Sequence, residues 1–125
     1  MTEQIDETLV IESMVEFEGF TLDEAKLTYQ RRKRLPASAF CGPNRTYPAH
    51  DAAHVRNGLA RLGTFGGKLK SAVRKRIFGC LLRRAKRMGV EVSKSTMKKY
   101  RKVGESSEDP YVRWYLENFR EEKGE

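Results

Sequence analysis

Four side chains in the middle of this 125-residue chain have the chemistry of a metal site: Cys41, His50, His54 and Cys80. Zinc takes four soft or borderline ligands at the corners of a tetrahedron, and a loop meeting two helices could bring two thiolates and two imidazoles together. The spacing argues against it. His50 precedes Asp51, which reads as a helix cap, so the two histidines are not a preformed pair on one helical face. Cys80 lies on an apolar stripe, where a buried free thiol is ordinary. The cysteines are 39 positions apart and form neither a CxxC pair nor a secreted disulfide framework, so reduced thiols in a cytoplasm are expected. No metal and no cofactor is expected. His54, three residues into its helix, is expected to hydrogen-bond into the preceding loop and pin it.

Catalytic constellations are no stronger. Cys41 with His50 or His54 is the one nucleophile and base pairing on offer, and no local signature surrounds it. Gly63-Thr64-Phe65-Gly66-Gly67-Lys68 has the composition of a phosphate loop but not its register, because Lys68 is followed by Leu69 where Ser or Thr is required. The expectation is that the protein is not an enzyme.

Charge is the more informative chemistry. Residues 1–30 carry one base and eight acids, residues 31–103 carry twenty-one bases and two acids, and residues 104–125 carry three bases and seven acids. The net charges are 1 − 8 = −7, 21 − 2 = +19 and 3 − 7 = −4, which sum to the +8 of the whole chain. A basic middle between acidic ends can bind a polyanion, dock on an acidic protein, or pair with a second copy end to middle. The candidate contact residues are Arg31, Arg32, Lys33 and Arg34 in one tetrad, Lys68, Lys75, Arg76, Arg83 and Lys86 along a later helix, and Lys98, Lys99 and Arg101 near Tyr100. The tetrad also suits a solvated helix end, where cations meet the negative end of the helix dipole. Phe65 and Tyr100 are candidate stacking groups for bases.

These residues need helices to position them. Ile5, Leu9, Val10, Met14 and Phe17 recur at helical spacing from about residue 3 to 18, and Gly19 stops them. Thr21 and Glu24 form a capping box for a second helix over 22–33, with Phe20 placed to staple onto Ala25. Asp51 caps a third helix over 52–62, whose face holds His54, Val55, Gly58, Leu59 and Leu62, and Gly63 is expected to end it. A fourth helix, 68–88, places Leu69, Val73, Ile77, Cys80, Leu81 and Met88 on one side and its cations on another. A basic element around 95–102 and an aromatic helix opened by Asp109-Pro110, with Tyr111, Trp114, Tyr115, Leu116 and Phe119, complete the chain.

The irregular stretch 35–48 contains Pro36, Gly42, Pro43 and Pro48, which deny it a continuous helix, yet it carries Leu35, Phe40 and Tyr47. It is therefore expected to be an ordered loop with Phe40 and Tyr47 in the core. Gly58 costs its helix about 1 kcal/mol against Ala, which close packing by Phe40 or Tyr47 would offset. The fold class is all-α: a small irregular helical bundle with an ordered Pro/Gly loop packed on it. Residues 1–34 read as an acidic helical hairpin, 35–92 as a basic helical module and 93–125 as a basic connector and aromatic helix, within one domain. No apolar run approaches the roughly 20 residues that span a bilayer, and the acidic first residues are unlike a secretory leader, so no membrane partner is expected.

Leu35-Pro36-x-Ser38-x-Phe40, then Tyr47-Pro48-x-x-Asp51-x-x-His54 with Leu59-Ala60-Arg61, then Arg84-Ala85-Lys86-Arg87-Met88-Gly89-Val90, resembles a small helical module of tailed-bacteriophage virion and head-maturation proteins. The resemblance covers 35–90. Cys41-Gly42-Pro43 departs from the plainly apolar residues of many relatives, and Gly58 from their alanine. Nothing resembling a protease domain accompanies it. The resemblance implies a structural or assembly protein, found in the virion and in the host cytoplasm before assembly. Its partners would be other phage structural proteins in the head or neck, and the basic middle would either face packaged DNA or dock on an acidic protein surface. The competing reading is a DNA- or RNA-binding regulator of the infected cell. The third and fourth helices can be drawn as a helix-turn-helix, although their connection is looser and the fourth helix longer than that motif prefers.

Overall fold

The computed structural model describes residues 5–92 and, beyond them, Lys98, Pro110, Arg113 and Trp114. Among the described residues the fold is all-α. Among the described residues there are four α-helices, α1 (Glu7–Glu18), α2 (Leu22–Arg32), α3 (Ala52–Phe65) and α4 (Ser71–Met88); residues 19–21 join α1 to α2, a loop with two 3-10 turns joins α2 to α3, and one 3-10 turn at Gly66–Lys68 leads from α3 to α4. There is no strand among the described residues, and Phe40 and Pro48 form an isolated antiparallel bridge. The connector at 95–102, with Lys99 and Arg101, and most of the aromatic helix lie outside the described residues; Lys98, Pro110, Arg113 and Trp114 are helical.

Local chemistry sets the helix ends. Asp6 accepts a hydrogen bond from the backbone of Leu9 at 3.1 Å, and Gly19 closes α1 in the left-handed region at φ 72°. Thr21 and Glu24 form both halves of the capping box that starts α2, at 3.2 and 3.0 Å. Asp51 accepts from the His54 N–H at 2.8 Å and starts α3. Two expected boundaries move. Gly63 does not end α3, which continues to Phe65, because glycine weakens a helix without forbidding it and the Phe65 ring has a place to pack against Gly19. α4 begins at Ser71 and not at Lys68, since Gly66–Lys68 forms a separate 3-10 turn and Leu69 is extended.

α1 and α2 bury Val10, Ile11, Met14, Ala25 and Tyr29 between them, with Phe20 packed on the cluster. The larger core joins α3, α4 and the loop through Tyr47, Val55, Leu59, Leu62, Ile77, Phe78, Leu81 and Leu82. The sequence reading of α4 named Ile77 and Leu81 but not Phe78, Leu82 or Ala85, which are equally buried. Gly58 behaves as expected in kind: a Cβ there would lie 3.1 Å from Leu81 Cδ2 and 3.8 Å from Tyr47 Cδ1. Its closest neighbour is a leucine, and Tyr47 supplies the aromatic.

The loop is ordered by returns of the chain on itself. Cys41 N–H donates to Tyr47 O, Gly42 N–H to Thr46 O and Ala49 N–H to Ala39 O, at 2.9, 2.9 and 2.8 Å. Asn44, Arg45 and Tyr47 have φ of 53°, 60° and 54° on either side of extended Thr46, and positive φ at such residues costs roughly 1–2 kcal/mol each and persists only where the surroundings over-determine it. Here they do. Tyr47 is fully buried and its hydroxyl donates to Phe17 O at 2.7 Å. Arg84 of α4 donates to Ser38 O at 2.6 Å and Ala49 O at 3.3 Å. Arg45 donates to Arg32 O at 2.8 Å and to Leu35 O. Phe40, in contrast, is half-buried, with the Arg45 guanidinium 4.7 Å from its ring centre, so the expectation that it is a core residue is corrected.

A disulfide joins Cys41 of the loop to Cys80 of α4, with Cα atoms 5.6 Å apart. This overturns the reading of two reduced thiols. A separation of 39 residues says nothing about distance once the loop folds back onto α4.

Candidate anion-binding surfaces

The predicted contact residues divide into three places. Arg31, Lys33 and Arg34 are exposed around the end of α2. Arg32 is not available to a partner. It is only 6% exposed, and its guanidinium meets the Glu18 carboxylate side by side, at 2.5 and 3.0 Å, while also donating to Arg45 O at 3.2 Å. Arg32 is therefore corrected from a surface contact to the ionic tie between α1, α2 and the loop. The helix-end tetrad looks uniform in sequence because only the fold decides which of its members turns inward.

The second place is α4. Its apolar side packs on α3, and Arg76 and Arg83 are exposed on the other, with Lys86 beside them and Lys75 half-buried. Arg87, exposed eleven residues after Arg76, falls on the same stripe and was missed as a face residue, although the helical period places it there. Lys68 is exposed on the turn before α4. Lys86 lies 4.0 Å above the Trp114 ring, a contact that ties the aromatic segment to this face. Lys75 and Arg83 also interact within the chain. Lys98 is exposed. Phe65 is no open stacking platform, since its ring covers the position a Gly19 side chain would fill.

The third place was not foreseen as a site. A cleft of about 420 Å³ opens between α2 and α3, lined by Thr28, Arg31, Arg32, His50, His54, Asn57 and Arg61 and by the apolar Phe20, Leu35 and Pro48. Arg61 lies 4.1 Å over the face of Phe20 and donates to Glu18 O at 2.8 Å. Its Nε is buried with no hydrogen-bond partner among the described residues. No carboxylate lines the cleft.

The postulated Cys41, His50, His54 and Cys80 set does not assemble, because the cysteines bond to each other. His50 and His54 do meet, with ring centres 4.1 Å apart. Asp51 lies between them, 2.7 Å from His54 Nδ1 and 3.5 Å from His50 Nε2. His54 thus engages its own helix cap and does not reach into the loop, which is corrected: Arg84, Arg45 and the disulfide do that pinning. The His54 backbone N–H and then its ring hold the Asp51 carboxyl below its ordinary value. His50, Asp51 and His54 offer three ligand atoms within 4.8 Å of one another, but one Asp51 oxygen already serves the cap.

Of the residues that carry the resemblance to the phage module, Tyr47 and Pro48 are buried, Asp51 caps α3, Leu35, Phe40 and His54 are half-buried, and Pro36 is exposed. No helix among the described residues is long and apolar enough to cross a membrane. Compared with family models, with curated proteins and with solved structures, the chain matches none.

Proposed function

We propose that this chain is a structural or assembly protein of tailed-bacteriophage type that docks through the cationic face of α4 on a polyanion, either packaged DNA or an acidic surface of a head or neck protein. The observation that carries this reading is the placement of charge. The acidic helix α1 packs chiefly on α2, α3 and the loop, and Arg76 and Arg87 stand exposed along one stripe of α4. Exposed like charges on one helix repel, and a bound polyanion relieves that repulsion while releasing counterions.

The alternative, a DNA- or RNA-binding regulator of the infected cell, shares this face. The Cys41–Cys80 bond supports the first reading over the second. Disulfides persist on virions and outside cells and are rare in reducing cytoplasm, which favours a particle-borne protein. The test is twofold. The reading expects the chain in purified particles by mass spectrometry with Cys41 and Cys80 linked. It also expects retention on heparin or duplex DNA, or incorporation into particles, to be lost when Arg76 and Arg83 are both changed to Glu. A chain absent from particles but bound to nucleic acid in the cell would favour the regulator, and a double variant that retains both properties would remove α4 as the docking face.

A further inference from the structure

We infer that the cleft between α2 and α3 is a binding site for a phosphate ester carrying a planar ring, that is, a nucleotide, either free or at an exposed position of a nucleic-acid strand. This goes beyond the docking face, since no residue of α4 lines the cleft and the two share no residue.

The argument begins with electrostatics. Of the three arginines lining the cleft, Arg32 is neutralised by Glu18 and Arg61 feels the Glu24 carboxylate from outside the cleft, while no carboxylate lines the cleft itself. Guanidinium groups on the wall of a concavity that no carboxylate lines focus a positive potential on whatever enters. Guanidinium forks suit phosphate oxygens in particular. Arg61 is held in place rather than free to swing: its Nη1 donates to Glu18 O at 2.8 Å and its Cζ lies 4.1 Å over the Phe20 ring centre. Such preorganisation lowers the ordering cost of binding an anion. The buried Arg61 Nε–H has no hydrogen-bond partner among the described residues, so the guanidinium is not satisfied by the fold alone.

The remaining donors surround these cations. Thr28, Asn57 and the imidazoles of His50 and His54 line the same cleft. Hydroxyl, amide and imidazole groups complete a phosphate shell without adding a charge that would repel it. The other wall is apolar, formed by Phe20, Leu35 and Pro48. A bare inorganic anion has no use for that wall, whereas a nucleobase does, and a volume of about 420 Å³ lies within the range of small-ligand sites. Together the cationic and apolar walls specify a ligand with one ionic end and one flat end.

The test is an amide NMR titration of the full chain with inorganic phosphate, 5′-AMP and a short oligothymidylate, on the wild type, Arg31→Glu, Asn57→Ala and Arg76→Glu/Arg83→Glu. Arg31 and Asn57 are exposed, so folding is preserved, and far-UV circular dichroism verifies it. The expected result is saturable shifts at Thr28, Arg31, His54, Asn57 and Arg61 with AMP, weaker with phosphate alone. Arg31→Glu weakens AMP about tenfold or more, and the α4 double variant leaves AMP affinity unchanged. Oligothymidylate that shifts the same amides identifies a strand as the source, and AMP alone identifies a free nucleotide. Absence of cleft shifts at about 10 mM AMP, or shifts confined to α4, overturns the inference while leaving the docking face to stand or fall on its own variant.

Discussion

Changing Glu18 to Gln should be among the most damaging single substitutions in the molecule. Glu18 is 1% exposed and Arg32 6% exposed, and they meet through two hydrogen bonds in the seam where α1, α2 and the loop join. Arg32 also donates to Arg45 O, and Arg45 donates back to Arg32 O, so the ion pair anchors a reciprocal link to the left-handed turn. Removing one charge of a buried pair leaves the other desolvated and uncompensated, at a cost of about 3–5 kcal/mol, against about 0–1 kcal/mol for an exposed pair. For a domain of this size, with a total stability of roughly 5–15 kcal/mol, that is a large fraction. Urea denaturation at neutral pH of Glu18→Gln, Arg32→Met and the double variant measures it. Both single variants should lose about 3 kcal/mol or more, and the double variant should lose clearly less than their sum, because removing both charges leaves none stranded. A loss below about 1 kcal/mol in Glu18→Gln, or strict additivity, would refute the claim that this seam is closed by a buried ion pair.

Other expectations concern the loop, the core and the caps. Cys41→Ser should lower stability by about 4 kcal/mol, the chain-entropy value for closing a loop of some 40 residues, and a reductant should produce the same loss in the wild type but none in the variant. Gly58→Val should cost roughly 1–3 kcal/mol, because its Cβ already meets Leu81 at 3.1 Å and the added methyl groups have nowhere to go; an unchanged melting temperature would show that Leu81 yields freely. Tyr47→Phe should lose about 1 kcal/mol through its hydrogen bond to Phe17 O, measured by the shift in denaturation midpoint. Asp51 and Glu24 both have carboxyl groups held below their ordinary values by the hydrogen bonds they accept at helix starts. A carboxyl lowered on folding stabilises above its unfolded value, about 4, and that contribution is lost as pH falls through and below it, so the stability these two carboxyls supply should be constant from pH 7 to about 5 and decline below about 4. Asp51→Asn should flatten part of that decline.

What could be read from the chain was local. Asp51, the Thr21–Glu24 box and the stops at Gly19 and Gly89 act over three or four residues, so their residue types announce them. The buried faces of α3 and much of α4 follow from helical period in the same way. The tertiary ties were not legible. Whether Cys41 reaches Cys80 depends on the loop reversing direction through left-handed Asn44, Arg45 and Tyr47, and neither Arg nor Tyr advertises that conformation. Once the loop has returned, Arg32 finds Glu18 while Arg45 and Arg84 find backbone carbonyls, turning Arg32 from an expected surface contact into a structural tie. The cleft was hidden for the same reason: Thr28, Arg31, Asn57 and Arg61 come from two helices separated by that loop, and only their convergence makes a site.

The salt dependence of duplex DNA binding by α4 tests the central claim most directly. With Arg76, Arg83, Lys86 and Arg87 contacting phosphates, log Kobs should fall with log salt at a slope of about −3 to −4, and Arg76→Glu/Arg83→Glu should reduce the slope by about two and the affinity severely. An acidic protein surface as the natural polyanion would preserve this behaviour on heparin. Binding that is absent at low salt on both polyanions, or that has the same slope and affinity in the double variant, would contradict α4 as the docking face.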